Sequence, residues 1–167
     1  IVPPEGAGTE FASQRAAYAA MTPVEQARLD GLVAVHSFEY SRNIIDKDML
    51  TDAMRAEHPP IKHALVRANP ANGRKAFYSG AHASHIEGMA EAEGRAMLRE
   101  LVELATQPQF TYLHKWAAND FVIWDNRCML HRGRPWAVTE YPRVMHRTTV
   151  AGAGPTVSED GEALSAA

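Results

Sequence analysis

The spacing of apolar residues breaks the chain into short elements separated by turn chemistry. In EAEGRAMLRELVELAT (91–106), Met97, Leu98, Leu101, Val102 and Leu104 recur at helical spacing and Pro108 closes the run, so an amphipathic helix is predicted. Residues 22–32 carry a helix start: Thr22 caps, Pro23 takes the first helical position, Glu25 completes a capping box, and Gly31 ends the element. Residues 9–21 are rich in helix formers behind Thr9 as N-cap, and a short helix is expected over about 46–56, stopped by Pro59 and Pro60. Residues 32–38, 62–68, 74–79, 110–116, 120–126 and 143–152 are strand-like. Asn72 and Gly73 between two of these runs predict a hairpin.

Strands outnumber helices in the second half, without the βαβα alternation of a doubly wound sheet. The pattern predicts an antiparallel barrel or jelly roll with helices packed outside. One domain over residues 1–155 is expected, followed by a small, polar tail over 156–167 that frays.

Composition narrows the function classes. With 167 residues, 46% hydrophobic and 22% charged, and a net charge of −3, the chain has the core of one domain and lacks the basic excess of a nucleic-acid binder. No stretch approaches the roughly 20 apolar residues of a membrane span. The first residues have no basic stretch leading into an apolar core, so no signal peptide is expected. The lone Cys128 excludes an internal disulfide, fits a reducing, cytoplasmic setting, and reads as a small buried residue. The chain opens without methionine on IVPPEGAGTEF, which looks like the inside of a longer chain; a processed or engineered start is the alternative.

Phosphate-cradling loops, His-Glu-x-x-His, Gly-x-Ser-x-Gly and dinucleotide fingerprints are absent from the sequence. Most of the eight histidines read as structural: His36, His63 and His114 in strands, His58 in a loop. His82 and His85, three apart, fit one face of a helical turn, but a closed zinc site needs further ligands that no nearby pattern supplies. Attention falls on 119–149. There His131 follows a turn at Asp125 and Asn126, and alternation along RVMHRTTV puts Arg143, Met145 and Arg147 on one strand face. An imidazole and a guanidinium lining one cavity suit a metal ligand beside a carboxylate clamp. An arginine-rich sheet surface is the bland alternative.

DFVIWDNRCMLHRGR followed by RVMHRTTVAG resembles the C-terminal half of the iron(II)- and 2-oxoglutarate-dependent dioxygenases of the taurine / 2,4-dichlorophenoxyacetate dioxygenase family. GRKAFYSGAHASHIEGM, LREL and TQPQFTYLHKW look closest to the 2,4-dichlorophenoxyacetate branch, and PPEGAGTEF resembles the glycine-glycine-acid-threonine segment of the family's core.

The resemblance implies a double-stranded β-helix (jelly roll), incomplete at its N-terminus. It also implies Fe(II) as cofactor, 2-oxoglutarate and O2 as cosubstrates, and hydroxylation of a small, aryloxyalkanoate-like organic acid with release of succinate. It makes His131 the distal iron ligand. Arg147 is the arginine that pairs with the far carboxylate of 2-oxoglutarate, Arg143 the second arginine on that strand, and Thr9 a hydroxyl on the same carboxylate. The family holds iron with two histidines and one carboxylate. Its first two ligands come as His-x-Asp or His-x-Glu, and none of the eight histidines here has that spacing.

The missing pair would lie just upstream of Ile1. The chain alone is therefore expected to bind iron weakly and to be inactive, needing an N-terminal segment to complete the metal site. Unpaired sheet edges would favour association, with a homo-oligomer as one outcome. Two other classes stay open: a non-catalytic jelly-roll remnant, and a module that complements an N-terminal partner.

Overall fold

The computed structural model describes residues 1–46, 50–152 and 154–157. The first elements are β1 (Thr9–Ser13), α1 (Gln14–Ala20), α2 (Pro23–Ala27), β2 (Val33–His36) and α3 (Phe38–Asn43). Next come α4 (Asp52–Glu57), β3 (Ile61–Ala64), β4 (Val66–Ala68), β5 (Lys75–Phe77) and β6 (Ala83–Ile86). Last are α5 (Glu91–Ala105), a 3-10 turn at Pro108–Phe110, β7 (Thr111–His114) and β8 (Met129–Gly133). The strands form three antiparallel sheets, ordered β7-β1-β8, β3-β2-β6 and β4-β5.

Local signals that need no distant partner hold. The capping box at Thr22 forms in full, with Glu25 N–H donating to the Thr22 hydroxyl while the Glu25 carboxylate accepts from Thr22 N–H. The helix itself stops at Ala27, short of the expected end at Gly31, which instead closes the following turn at φ +76°, a conformation that glycine adopts without strain. The hairpin of β4 and β5 turns at Asn72 and Gly73 as expected, with Val66 opposite Phe77. The expected strand over 62–68 is two strands in different sheets. Fully buried Leu65 divides them, its N–H donating to Leu32 while its carbonyl accepts from Tyr78.

Other expectations change. Residues 9–13 are a strand, not the start of a helix, because β1 is central and pairs with β7 on one side and β8 on the other. Those two ladders outweigh the helix propensity of the segment. The N-cap is Ser13, whose hydroxyl accepts from Ala16 N–H. The helix expected over 46–56 is confined to α4, with residues 47–49 outside the described residues. An additional helix, α3, starts at Ser37.

Residues 120–126 and 143–152 adopt no strand, since no strand among the described residues runs beside them. The second run makes one backbone pairing, Val144 with Ile1, in both directions at 3.0 Å. His85 lies in β6 and His82 in the turn before it, so the pair does not share a helical turn.

The core lies between α1, α5 and strands β2, β5 and β6. It contains Tyr18, Leu65, Phe77, Ile86, Leu98 and Leu101. Gly94 lets α5 approach β6 closely: a Cβ there would stand 2.9 Å from the Ile86 nitrogen. Thr156, the first residue of the expected tail, accepts from Ala64 N–H through its hydroxyl, and Val157 is buried; residues 158–167 lie outside the described residues. No helix among the described residues is long and apolar enough to cross a membrane.

Candidate functional site

Strand register assembles the site. In the β7-β1-β8 sheet, Phe11 stands opposite Tyr112 on one side and His131 on the other, while Thr9 stands opposite His114 and Gly133. Directly opposed residues share a sheet face, so Thr9, Phe11, His114 and His131 project to one side. Trp124 leans over this face, its ring centroid 5.1 Å from His131 and 5.3 Å from Phe11. The sequence pattern left 129–133 unassigned; pairing with β1 makes it a strand and fixes the direction of His131.

Thr9 is buried, and its hydroxyl accepts from Trp116 Nε1 at 2.9 Å. Arg143 reaches the same place: its Nε donates to the Ala7 carbonyl at 3.2 Å and its Nη2 lies 3.5 Å from Thr9 Oγ1. The guanidinium also stands 5.7 Å from the Trp136 ring. Ala7 holds a left-handed φ of 54°, uncommon outside glycine, and its N–H donates to the Pro135 carbonyl. The backbone that carries Thr9 is thus locally strained and tied on both sides.

Arg147 is exposed, and its charge reaches His131. His131 keeps solvent access, yet partial burial first, and then the positive charge of Arg147, hold its pKa below the ordinary histidine range. The neutral imidazole so favoured is the form that ligates metals. The arginines between them divide into kinds. Arg132 pairs with Glu10 on the opposite face, joined by Arg134 at 3.6 Å, so these two charges are engaged. Arg143 stands toward the His131 side, where Thr9 projects.

On that opposite face a pocket of about 440 Å³ separates the sheet from α5. Glu10, Ala12, Leu130 and Arg132 line one wall, Leu98 and Val102 the other, and His131 borders it.

The residues present fit an iron ion only in part. His131 supplies one imidazole, and no group of three or more His, Cys, Asp or Glu side chains able to hold a metal exists among the described residues. His82 and His85 are engaged elsewhere, His82 stacked against Phe38 and His85 Nδ1 at 3.0 Å from the Ser84 hydroxyl. Cys128 is buried, and that burial raises its thiol pKa, as befits a packed residue rather than a nucleophile. Sequence reasoning missed Trp116 and Trp124. The signal available for Trp124 was its place two residues before the Asn126 turn; Trp116 had none, since its partner Thr9 is 107 residues away.

The family model for "Taurine catabolism dioxygenase TauD, TfdA family" matches residues 1–149. The chain is 45% identical over 150 residues to the alpha-ketoglutarate-dependent 2,4-dichlorophenoxyacetate dioxygenase of Cupriavidus pinatubonensis, covering 90% of this chain and 52% of that protein. It is 38% identical to the (S)-phenoxypropionate/alpha-ketoglutarate-dioxygenase of Sphingobium herbicidovorans, covering 91% and 55%. Among solved structures, AAD-2 in complex with Mn(II) and N-oxalylglycine superposes with a TM-score of 0.88 at 44% identity, covering 95% of this chain and 62% of that one. The chain spans about half the length of the curated relatives it matches.

Proposed function

Because the chain belongs to the taurine catabolism dioxygenase TauD, TfdA family, a family of enzymes, we propose that it forms the cosubstrate-holding part of an iron(II)- and 2-oxoglutarate-dependent dioxygenase. Residues 1–155 are then a portion of a jelly-roll domain that works on a small aryloxyalkanoate-like acid, in the cytoplasm, where the lone Cys128 stays reduced. The observation that carries the reading is the meeting of Thr9 and Arg143 on the sheet face that holds His131.

In this reading Thr9 and Arg143 clamp the far carboxylate of 2-oxoglutarate. Guanidinium presents parallel N–H donors that match a carboxylate, and Arg143 spends only part of its donor set on Ala7 and Thr9. Arg147, whose charge contributes to lowering the His131 pKa, is the second arginine available to a carboxylate in this reading. Neutral His131 stands ready as one iron ligand. Bound iron would supply activation of O2; its other protein ligands are not formed by the described residues, so no step is assigned through it. The chain alone is inactive in this reading and completes its metal site with a segment carrying His-x-Asp.

Calorimetric titration of the chain with 2-oxoglutarate tests the reading. Arg143→Ala is expected to abolish measurable binding, and unchanged affinity would overturn the clamp. Mixed with iron(II), ascorbate, 2-oxoglutarate and 2,4-dichlorophenoxyacetate, the chain should release no succinate; robust release would refute the incomplete metal site.

A further inference from the structure

The hydrogen-bond pattern at Thr9 gives Trp116 a role. An indole N–H can only donate, and a guanidinium can only donate. Trp116 Nε1 gives its proton to Thr9 Oγ1 at 2.9 Å, and Arg143 Nη2 stands 3.5 Å from the same oxygen. A hydroxyl has two lone pairs and one proton. With both lone pairs facing donors, the Thr9 proton turns away from them, and it has no acceptor among the described residues.

We propose that Trp116 is a positioning residue for 2-oxoglutarate. By holding one lone pair of Thr9, it fixes that hydroxyl as a donor to the far carboxylate. The inference rests on the reading of Thr9 and Arg143 as the carboxylate clamp. Without the indole N–H, the hydroxyl can rotate and turn a lone pair toward the anion, which is repulsive.

The neighbourhood of Trp116 is built to hold it. Its ring meets His114 edge-on at 4.5 Å, and His114 stands opposite Thr9 in the β1–β7 register. His114 Nε2 lies 3.0 Å from Asp120 Oδ2, which also accepts from Ala117 N–H at 2.8 Å. The loop after β7 is thereby closed on itself with the indole directed at Thr9.

A double-mutant cycle on the full chain tests the proposal, with 2-oxoglutarate titrated and binding followed by NMR. Trp116→Phe keeps a ring and removes the N–H; Thr9→Val keeps the shape and removes the hydroxyl. Trp116→Phe is expected to weaken 2-oxoglutarate roughly fivefold to tenfold, the worth of about one hydrogen bond. In the Thr9→Val background it should have no further effect, because no hydroxyl remains to orient. An equal loss in both backgrounds would mean that the ring is merely structural and would overturn the proposal. Equal binding by the wild type and Trp116→Phe would overturn it while leaving the clamp standing. Absence of binding by the wild-type chain would overturn the clamp, and the proposal with it.

Discussion

Around Phe77, Leu65 and Ile86 the chain encloses its apolar side chains completely, whereas between 115 and 152 it leaves Phe121, Ile123 and Val150 more than 80% exposed. The first region is built from α1, α5 and the strands they cover, and its apolar faces meet within the chain. The second carries Trp116, Trp124, Arg143 and Arg147. It holds Trp116, Trp124 and Arg143 by hydrogen bonds and ring contacts onto β1 and β8. Burial stabilises the scaffold here, and polar contacts aim the site.

The contrast can be broken most forcefully in the core. Phe77→Ala should cost about 3–5 kcal/mol in urea unfolding; a loss below about 1 kcal/mol would show that the enclosed region is not the stabilising one.

Acidification should cost somewhat less. His36 and His63 lie edge-to-face at 5.3 Å, and His36 stacks on Tyr78 at 4.7 Å. Burial first, then the charges of His63, His82 and Arg67, lower the His36 pKa to about 4; burial and Arg67 do the same for His63. The unfolded chain therefore binds more protons than the folded one between about pH 4 and the ordinary histidine value near 6.5. Stability from these groups is complete above that value and declines as pH falls toward 4. For His36 this is on the order of 2–3 kcal/mol between about pH 7 and about pH 4.5. His36→Phe, which keeps the stack and removes the titration, should flatten the profile of unfolding midpoint against pH.

Gly94→Ala should come next. Alanine normally favours a helix, but its methyl would press on the Ile86 backbone, so the substitution should destabilise by about 1–3 kcal/mol. A gain in thermal midpoint would show that α5 can shift. The smallest effect belongs to the other region: Phe121→Ser should change stability by less than about 0.5 kcal/mol, and a larger loss would mean that this stretch is covered in solution.

The sequence was most readable where a few neighbouring residues decide the outcome. The Thr22 box, the Asn72 turn and the apolar stripe of α5 form as their spacing predicts. It was misleading where distant pairing decides. Residues 9–13 look helical in isolation and become a strand because β7 and β8 flank them; 120–126 and 143–152 look like strands and lack a neighbour to pair with. Of the candidate site, resemblance picked out Thr9, His131, Arg143 and Arg147. The meeting of Arg143 with Thr9 depends on a segment outside any strand reaching across to β1, over 134 positions. Trp116 could not have been found, because its meaning lies in one contact spanning 107 positions.

Strand β1 waits for partners distant in sequence, with Thr9 opposite Gly133 and Phe11 opposite His131. Glu10 and Arg132, paired across that ladder, stand 122 positions apart, and such high contact order slows the pairing. The hairpin and the α5 layer can settle early, so a nascent molecule would spend its youth with a finished scaffold and an unassembled recognition face.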